Sequence, residues 1–450
     1  MVSQRSAVAN YKHDMSLRPF IFAAILVAGL PSHAQLSAVP SSLDRPATAH
    51  AVSLTQVLEA AGANLEVSLA RRVLAAAQGD VAAADHAPAP VLTAKAASID
   101  LQNGIGGGHV LSQKRIDKAI GLDWTWERGN KRALRTASAQ STANAARSDI
   151  QDMRVQQQLA AAGAYFDLLA SQERIEQISA MARSADQLAS TAARRVKAGD
   201  LAAQDAARTD IEAQRAQADL LSAQLDRQRV RLALGLVMGH TDAQTLTALP
   251  DWPVLPPASH ASDTDKLPSV DARADVKAAA LRLDAARSAV ELAAAQKKPD
   301  VTLGTSFDHF PGTSTKLVEV RLQIPLYGVL GGYNFQGEIT RAQALQNQAE
   351  DTLEKVRRAA LADLQRVQQD KQGFAARAQR YQTVIVPRAQ QVADMAELAY
   401  SKGAMALTEL IDARRTLRTT LLEAIAARTD YAKAAGAWQL RNLPLTANGN

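Results

Sequence analysis

Residues able to do chemistry are spread thinly along this sequence. The 8 histidines form neither an HExxH nor a His-x-His pattern, so the spacing encodes no zinc-hydrolase site. No G-x-S-x-G nucleophile motif occurs, and Cys 0 excludes disulfides, thiolate metal ligands and a cysteine nucleophile. The run Asn103-Gly104-Ile105-Gly106-Gly107-Gly108 is glycine-rich but lacks the following Lys-Ser/Thr and the strand-then-helix setting of a phosphate cradle, so it reads as a turn. Among the carboxylates, Glu409 and Asp412 stand at i and i+3 and share one helix face. Like charges that close raise one another's pKa and draw cations. Their plainer reading is a solvated face with Asp412 paired to Arg415. The sequence therefore points away from an enzyme and implies no cofactor.

The elements that would position such residues are mostly long helices. The 450 residues are 47% hydrophobic but only 4% aromatic, with too few large side chains to fill several compact cores. Abundant alanine with Gln, Arg, Leu and Glu favours helices that approach closely. Lys+Arg 51 against Asp+Glu 45 gives a mild +6, interspersed and without basic blocks carrying aromatics, which argues against nucleic-acid binding.

The first segment reads as an address. Lys12 and Arg18 precede the apolar run Phe20–Leu30, and Ser32-His33-Ala34 forms an A-x-A-like cleavage site. Residues 1–34 are thus expected to be an export signal, with Gln35 opening the mature chain and Met15 an alternative start. The apolar run spans only ~16 Å as helix, short of a ~30 Å hydrocarbon core. No later apolar run reaches helical spanning length, so insertion of the mature chain would have to use strands.

The remainder repeats one plan twice. Asn64-Leu65-Glu66-Val67 and Arg273-Ala274-Asp275-Val276 each open an alanine-rich helix running toward Pro90 and Pro299. Ile120, Leu122, Trp124 and Trp126 then alternate with polar residues, as do Val318, Val320, Leu322, Ile324 and Leu326. Both are strand patterns, with partners at about Pro90–Leu101 and Pro299–Phe310, joined through Asn103–Gly108 and Phe310–Ser314. Long helices follow. The first, from about Asn130 to Val196, would be ~100 Å long and carries a coiled-coil seam of Ile175, Ile178, Ala182, Ala185, Ala189, Ala192 and Val196. Val386, Ala389, Val392, Ala396 and Ala399 repeat the seam, and Pro387 should kink or locally unwind that helix. Each long helix reverses at a glycine, Gly199 or Gly403, into a return helix of about Ala203–Leu236 or Leu407–Leu440.

The expected organisation is a short mature segment (35–52), a first repeat (53–240), a proline-rich linker (241–268), a second repeat (269–442) and a tail (443–450). Four strands leave two open edges and one uncovered apolar face. In a membrane those edges must close, so several chains would have to share one barrel.

These residues resemble the TolC family of outer-membrane efflux channels over nearly the whole mature chain. Arg273–Ala279 is similar to the family's "RPDVRAAE" helix start, with Ala274 in place of the proline. Lys298-Pro299-Asp300-Val301 resembles its helix-to-strand junction, and Ala164–Leu169 its "AYFDLL". The segments RVKAGDLAAQDAAR and AYSKGAMALTELIDARRTL resemble its paired hairpin tips. Glu127–Arg132 resembles the "E-x-GGKR" of CzcC-like heavy-metal channels, with Asn130 replacing a glycine. The resemblance implies a mainly α fold with a transmembrane β part: a homotrimer whose twelve-stranded barrel, four strands from each chain, continues into a periplasmic tunnel of coiled-coil helices. It implies a passive exit duct in the Gram-negative outer membrane, served by an inner-membrane pump and a periplasmic adaptor protein, with heavy-metal cations or small toxic compounds as cargo. A protein-secretion duct shares this architecture. A periplasmic coiled-coil adaptor or scaffold is the reading from another class, but no lipoyl-like β-module is evident.

The resemblance also assigns sites. Glu409 and Asp412, with Asp205 at the matching place in the first repeat, fall where the family's acidic periplasmic gate lies. Met405 stands where an arginine can tie the closed state. The tips Gly199, Asp200, Leu201 and Gly403, Ala404, Met405 are candidates for adaptor docking. Trp124, Trp126, Phe307, Phe310 and Tyr327 lie in or beside strands, as interfacial aromatics of a membrane barrel would. A passive conduit needs no tight metal site.

Overall fold

The computed structural model describes residues 50–99, 102, 116–240, 242–256, 268–310, 314–327 and 332–442. The export signal, the Asn103–Gly108 turn, most of the second strand-to-strand loop, part of the linker and the tail lie outside them.

The chain opens with β1 (His50–Val52), α1 (Leu54–Ala61) and α2 (Leu65–Ala84). Ser53 and Gln56 make a reciprocal capping box at α1, and the Asn64 side chain accepts from the Val67 amide at α2. β2 (Val91–Ala97) and β3 (Asp117–Trp126) follow, then α3 (Lys131–Lys197) and α4 (Ala203–Met238). The second half repeats the order after β4 (Leu246–Ala248): α5 (Ala274–Ala295), β5 (Val301–Phe310), β6 (Ser314–Gln323), α6 (Gln336–Arg380), α7 (Val386–Ser401) and α8 (Leu407–Asn442). Among the described residues no helix is long and apolar enough to cross a membrane.

Two local outcomes differ from the sequence pattern, and a third, at Pro387, follows it. β6 stops at Gln323 rather than Leu326, because Pro325 has no amide to continue a ladder. Pro387 is accommodated by a π-turn, Tyr381–Ile385, between α6 and α7; the wider register makes room for a ring that cannot donate to the preceding turn. In the second seam Ala396 is buried as expected, but Val392 is exposed and Ala393 is buried in its stead.

The linker segment is not bare spacer where it is described. β4 pairs in parallel with β1, and Gln172 of α3 bonds both ways to Ala248, at 2.8 and 3.0 Å. Trp252 stacks on Phe166 at 6.1 Å, with the Arg428 guanidinium 4.5 Å over its ring. The Tyr165 hydroxyl donates to the Leu249 carbonyl at 2.7 Å, and burial pushes that phenol up to about 12. This strap closes the main core around Tyr165, Phe166, Leu168 and Leu234.

The four long strands form one antiparallel sheet in the order β2-β3-β5-β6, so the two halves join through β3 and β5. Register separates the faces. Leu92, Leu122, Thr305 and Val320 align in one row, and Ala94, Ile120, Phe307 and Val318 in the next. That face is apolar and uncovered: Leu122, Trp124, Leu303, Val320 and Leu322 are all exposed. The opposite face holds Thr93, Asp123, Thr125, Ser306, Asp308, Glu319 and Arg321. There Asp123 pairs with Arg321 at 2.7 Å, Thr125 bonds Thr302 at 2.9 Å, and Ser306 donates to the buried Asp308. Gly304 makes this possible, because a Cβ there would lie 2.3 Å from the Asp123 carboxylate.

The joint between sheet and helices explains two of the motifs. Gly129 and Asn130 have φ of +79° and +57°, a left-handed pair that glycine adopts freely and asparagine tolerates. The turn delivers Lys131, itself buried, to Asp300 at 2.8 Å, and Asp300 also accepts from the Arg128 amide. Arg135 reaches Glu127 at 2.9 Å and the Ala84 and His86 carbonyls at 3.1 Å, tying the end of α2 to β3 and α3. At the end of α5 away from the sheet, Arg273 bonds Asp275 and Asp363, and Asp363 also pairs with Arg366 and Arg441.

Replacing Asp300 by Ala strands a buried ammonium, and a loss of about 3 kcal/mol is expected. The double variant Asp300→Ala, Lys131→Met should recover most of it. Comparing both melting temperatures with wild type in detergent checks this; equal losses would remove the buried-charge explanation.

Candidate functional site

The two hairpin tips are built alike down to their hydrogen bonds. At the first, Gly199 has φ +82°, its amide donates to Val196 and the Asp200 amide reaches back to Arg195 at 2.8 Å. At the second, Gly403 has φ +74°, its amide donates to Tyr400 and the Ala404 amide reaches Ala399 at 2.9 Å. Both are Schellman closures, where a residue with positive φ satisfies the last carbonyls of a helix. A Cβ at either glycine would meet nothing, so backbone conformation alone selects glycine. Gly199, Asp200, Gly403 and Ala404 are exposed, whereas Leu201 and Met405 are half-buried.

Asp205 and Glu409 occupy the first turns of the two return helices, α4 and α8. The α4 N-cap is Ala202, which offers no side-chain acceptor, so an acid near those free amides also stabilises the helix end. Asp205 is half-buried; Glu409 and Asp412 are exposed along α8. The structure thus brings Glu409 and Asp412 onto one face and puts Asp205 at the equivalent turn of the neighbouring hairpin.

The expected Asp412–Arg415 pair is the weaker of two. Its atoms stand 3.8 Å apart, while the Arg415 guanidinium forks onto Glu212 of α4. That bond, opposed by partial burial, holds the Glu212 carboxyl below 4.5, its ordinary value. One α-helical turn on, Arg418 pairs with Asp219 of α4, and Arg414 binds Glu397 of α7 at 2.9 Å. α8 is therefore clasped to α4 and to α7 just above the tips. Between the clasps lies a cavity of ≈ 150 Å³, lined by Met181, Leu188, Thr209 and Ile411, with Glu212 and Arg415 also in its wall. Glu212, Asp219, Arg414 and Arg418 were not singled out in the sequence. Glu212 and Arg415 are 203 positions apart, and no local spacing reveals such a partner.

The aromatic candidates sit at both ends of the sheet. Trp124 pairs with Leu303 and Trp126 with Val301, at the end nearest the helices; Phe307 pairs with Ile120 toward the loops. Trp124, Trp126, Phe307 and Tyr327 are exposed, and Phe310, at the β5 tip, is half-buried. Tyr327 lies just past β6, edge-on to Phe335 at 5.1 Å. The two central strands, β3 and β5, have 10 residues each. At ~3.3 Å per residue and a ~40° tilt they cover roughly 25 Å, the height of a membrane barrel's apolar band.

Residues 270–440 match the family model for outer membrane efflux proteins. The cobalt-zinc-cadmium resistance protein CzcC of Cupriavidus metallidurans is 25% identical over 366 residues, covering 80% of this chain and 82% of that protein. The pyoverdine export outer membrane protein OpmQ of Pseudomonas putida is 27% identical over 331 residues, covering 69% and 68%. The crystal structure of the outer membrane protein VceC from Vibrio cholerae shares the fold, with a TM-score of 0.68 at 19% identity over 86% of this chain and 94% of that one. Residues 270–440 thus resemble the outer membrane efflux proteins, and the chain as a whole, an uncovered apolar sheet above long helical hairpins, shares the fold of VceC.

Proposed function

We propose that three copies of the chain form a passive exit duct of a tripartite efflux system. One observation carries this reading: the chain is unfinished along the same two flanks at both levels. In the sheet, β2 and β6 are open edges. Below it, α4 packs on α3, α3 on α8, and α8 on α6 and α7, so α4 and α7 flank the row. Their outer faces expose Leu221, Leu225, Leu232 and Leu236 on α4, and Val392, Met395 and Leu398 on α7. Each set occupies one arc of its helix. Joining the β6 and α7 flank of one copy to the β2 and α4 flank of the next is a head-to-tail contact, which finishes only as a closed ring. Three copies supply twelve strands, the number implied by the family resemblance.

In this reading the hairpin tips meet a periplasmic adaptor, which links the duct to an inner-membrane pump. Glu409, Asp412 and Asp205 line the periplasmic constriction. The clasp of Arg415 and Arg418 on α4 holds the hairpins together in the place of the arginine that Met405 replaces. The two relatives are named for cobalt, zinc and cadmium resistance and for pyoverdine export, which supports heavy-metal cations or small toxic compounds as cargo. Deletion followed by a metal and antibiotic sensitivity panel separates these.

The duct should fractionate with outer membranes, have a trimer's mass in detergent and conduct in planar bilayers; a water-soluble monomer without pores would end this reading. Leu225→Glu with Leu232→Glu should abolish the trimer while leaving helix content by circular dichroism unchanged. Glu409→Ala with Asp412→Ala should raise single-channel conductance or change cation selectivity, and identical currents would take both residues out of the gate. Because the Glu212 pKa is lowered in the fold, its clasp is complete above 4.5 and is lost as pH falls through the lowered value. Conductance should rise over that acid range in wild type, and Glu212→Gln should be raised already at neutral pH.

A further inference from the structure

The lipid-side face of the sheet carries charge of one sign only, and only at one end. Lys118 lies two residues before Ile120 on β3, and its register partner is His309, two residues after Phe307 on β5. On β6, Lys316 precedes Val318 by two and is exposed. Lys118 and His309 thus pair directly beyond the apolar row of Ile120, Phe307 and Val318, and Lys316 shares the face of Val318 by alternation on β6, beside a register shift between Asp308 and Phe310. Among the described residues of the sheet no carboxylate shares this face. Asp117, Asp123, Asp308 and Glu319 all alternate to the other side, where Arg321 meets Asp123 and Glu319. The opposite rim of the apolar face, nearest the helices, has Trp124 and Trp126 and no lysine, with Arg128 two residues beyond Trp126. The Lys118 ammonium is shielded from solvent and has no hydrogen-bond partner.

The helices extend into the periplasm, so the Lys118 row lies at the leaflet facing outward. We propose that Lys118, His309 and Lys316 form a cationic shelf that seats the phosphate of an anionic lipid headgroup in that outer leaflet. Snorkelling alone would explain lysines at an interface. It does not explain why both lysines gather at one rim, with every carboxylate of the sheet on the far face and one ammonium unpaired. A phosphate meets that ammonium with a charge-assisted hydrogen bond, and the acyl chains of the same lipid cover the apolar rows below. Repeated around the ring, the shelf fixes how deep the barrel sits. This inference rests on the barrel reading above.

The test uses the full-length channel purified in neutral detergent and titrated, by native mass spectrometry, with diphosphoryl lipid A and with its dephosphorylated form. Wild type should prefer the phosphorylated lipid. Each lysine removed should cost about fivefold in affinity, so Lys118→Gln with Lys316→Gln should lose roughly 25-fold. Lys118→Arg with Lys316→Arg should keep the preference, and Lys95→Gln, on the other face, should not alter it. An unchanged melting temperature shows that the glutamine variant is folded. Equal binding of the two lipids by wild type, or undiminished binding by the glutamine variant, would overturn the shelf, as would displacement of the lipid by millimolar inorganic phosphate. Insertion of every variant into phosphatidylcholine vesicles keeps the barrel reading separate: insertion without headgroup preference defeats the shelf alone, and failure of wild type to insert defeats both.

Discussion

A backbone amide in hydrocarbon has no water to turn to, and every ladder hydrogen bond must be made by protein. That constraint governs this chain. Its sheet has four strands, two unpaired edges and one apolar face on which no helix packs. As an isolated, water-soluble sheet it would be both exposed and sticky. As a segment of a closed wall, each of those defects becomes a joint: edges pair, the apolar face meets lipid, and the face lined by Asp123, Arg321 and Asp308 turns to the interior. The glycine at 304 belongs to the same logic, giving up its own side chain so that an ion pair can cross three strands.

A sheet and a bundle of long helices have different symmetries of packing, and the chain changes from one to the other within a few residues. The change is made by left-handed residues followed by a buried ion pair. Gly129 and Asn130 turn the chain, and Lys131 with Asp300 locks it. Phe335 repeats the left-handed entry at the start of α6, although a bulky side chain is costly there; Tyr327 and Tyr333 pack about its ring. What looks in sequence like a string of charged and glycine residues is thus a mechanical coupling, with Arg135 as its outer brace.

Far from the membrane the same helices end in turns whose geometry is nearly identical, yet their surroundings are not. The return helix of the second hairpin is clasped by arginines to α4 and α7, and a small cavity remains among them. Such partly exposed pairs each contribute little to stability. Several in succession along one helix tie α8 to α4 and α7 over a core made largely of alanine.

The sequence by itself determined the periodic features. The alternation in Ile120–Trp126 and Val318–Leu322, the 3-4 seam of Ile178, Ala182 and Ala192, and the reversals at Gly199 and Gly403 are each local, and each reappears within a residue or two of its expected place. Even the tandem plan was legible, because a repeat writes the same local rules twice. Tertiary structure decided what depends on partners distant in the chain. The pairing of β3 with β5, the strap of Leu246–Trp252 over Tyr165, and the Glu212–Arg415 clasp leave no periodic trace, since either partner alone looks like an ordinary strand, loop or solvated charge. Whether Val392 or Ala393 faces inward was settled the same way: an apolar pattern fixes a stripe on a helix, but only the neighbouring helices choose which edge of that stripe they cover.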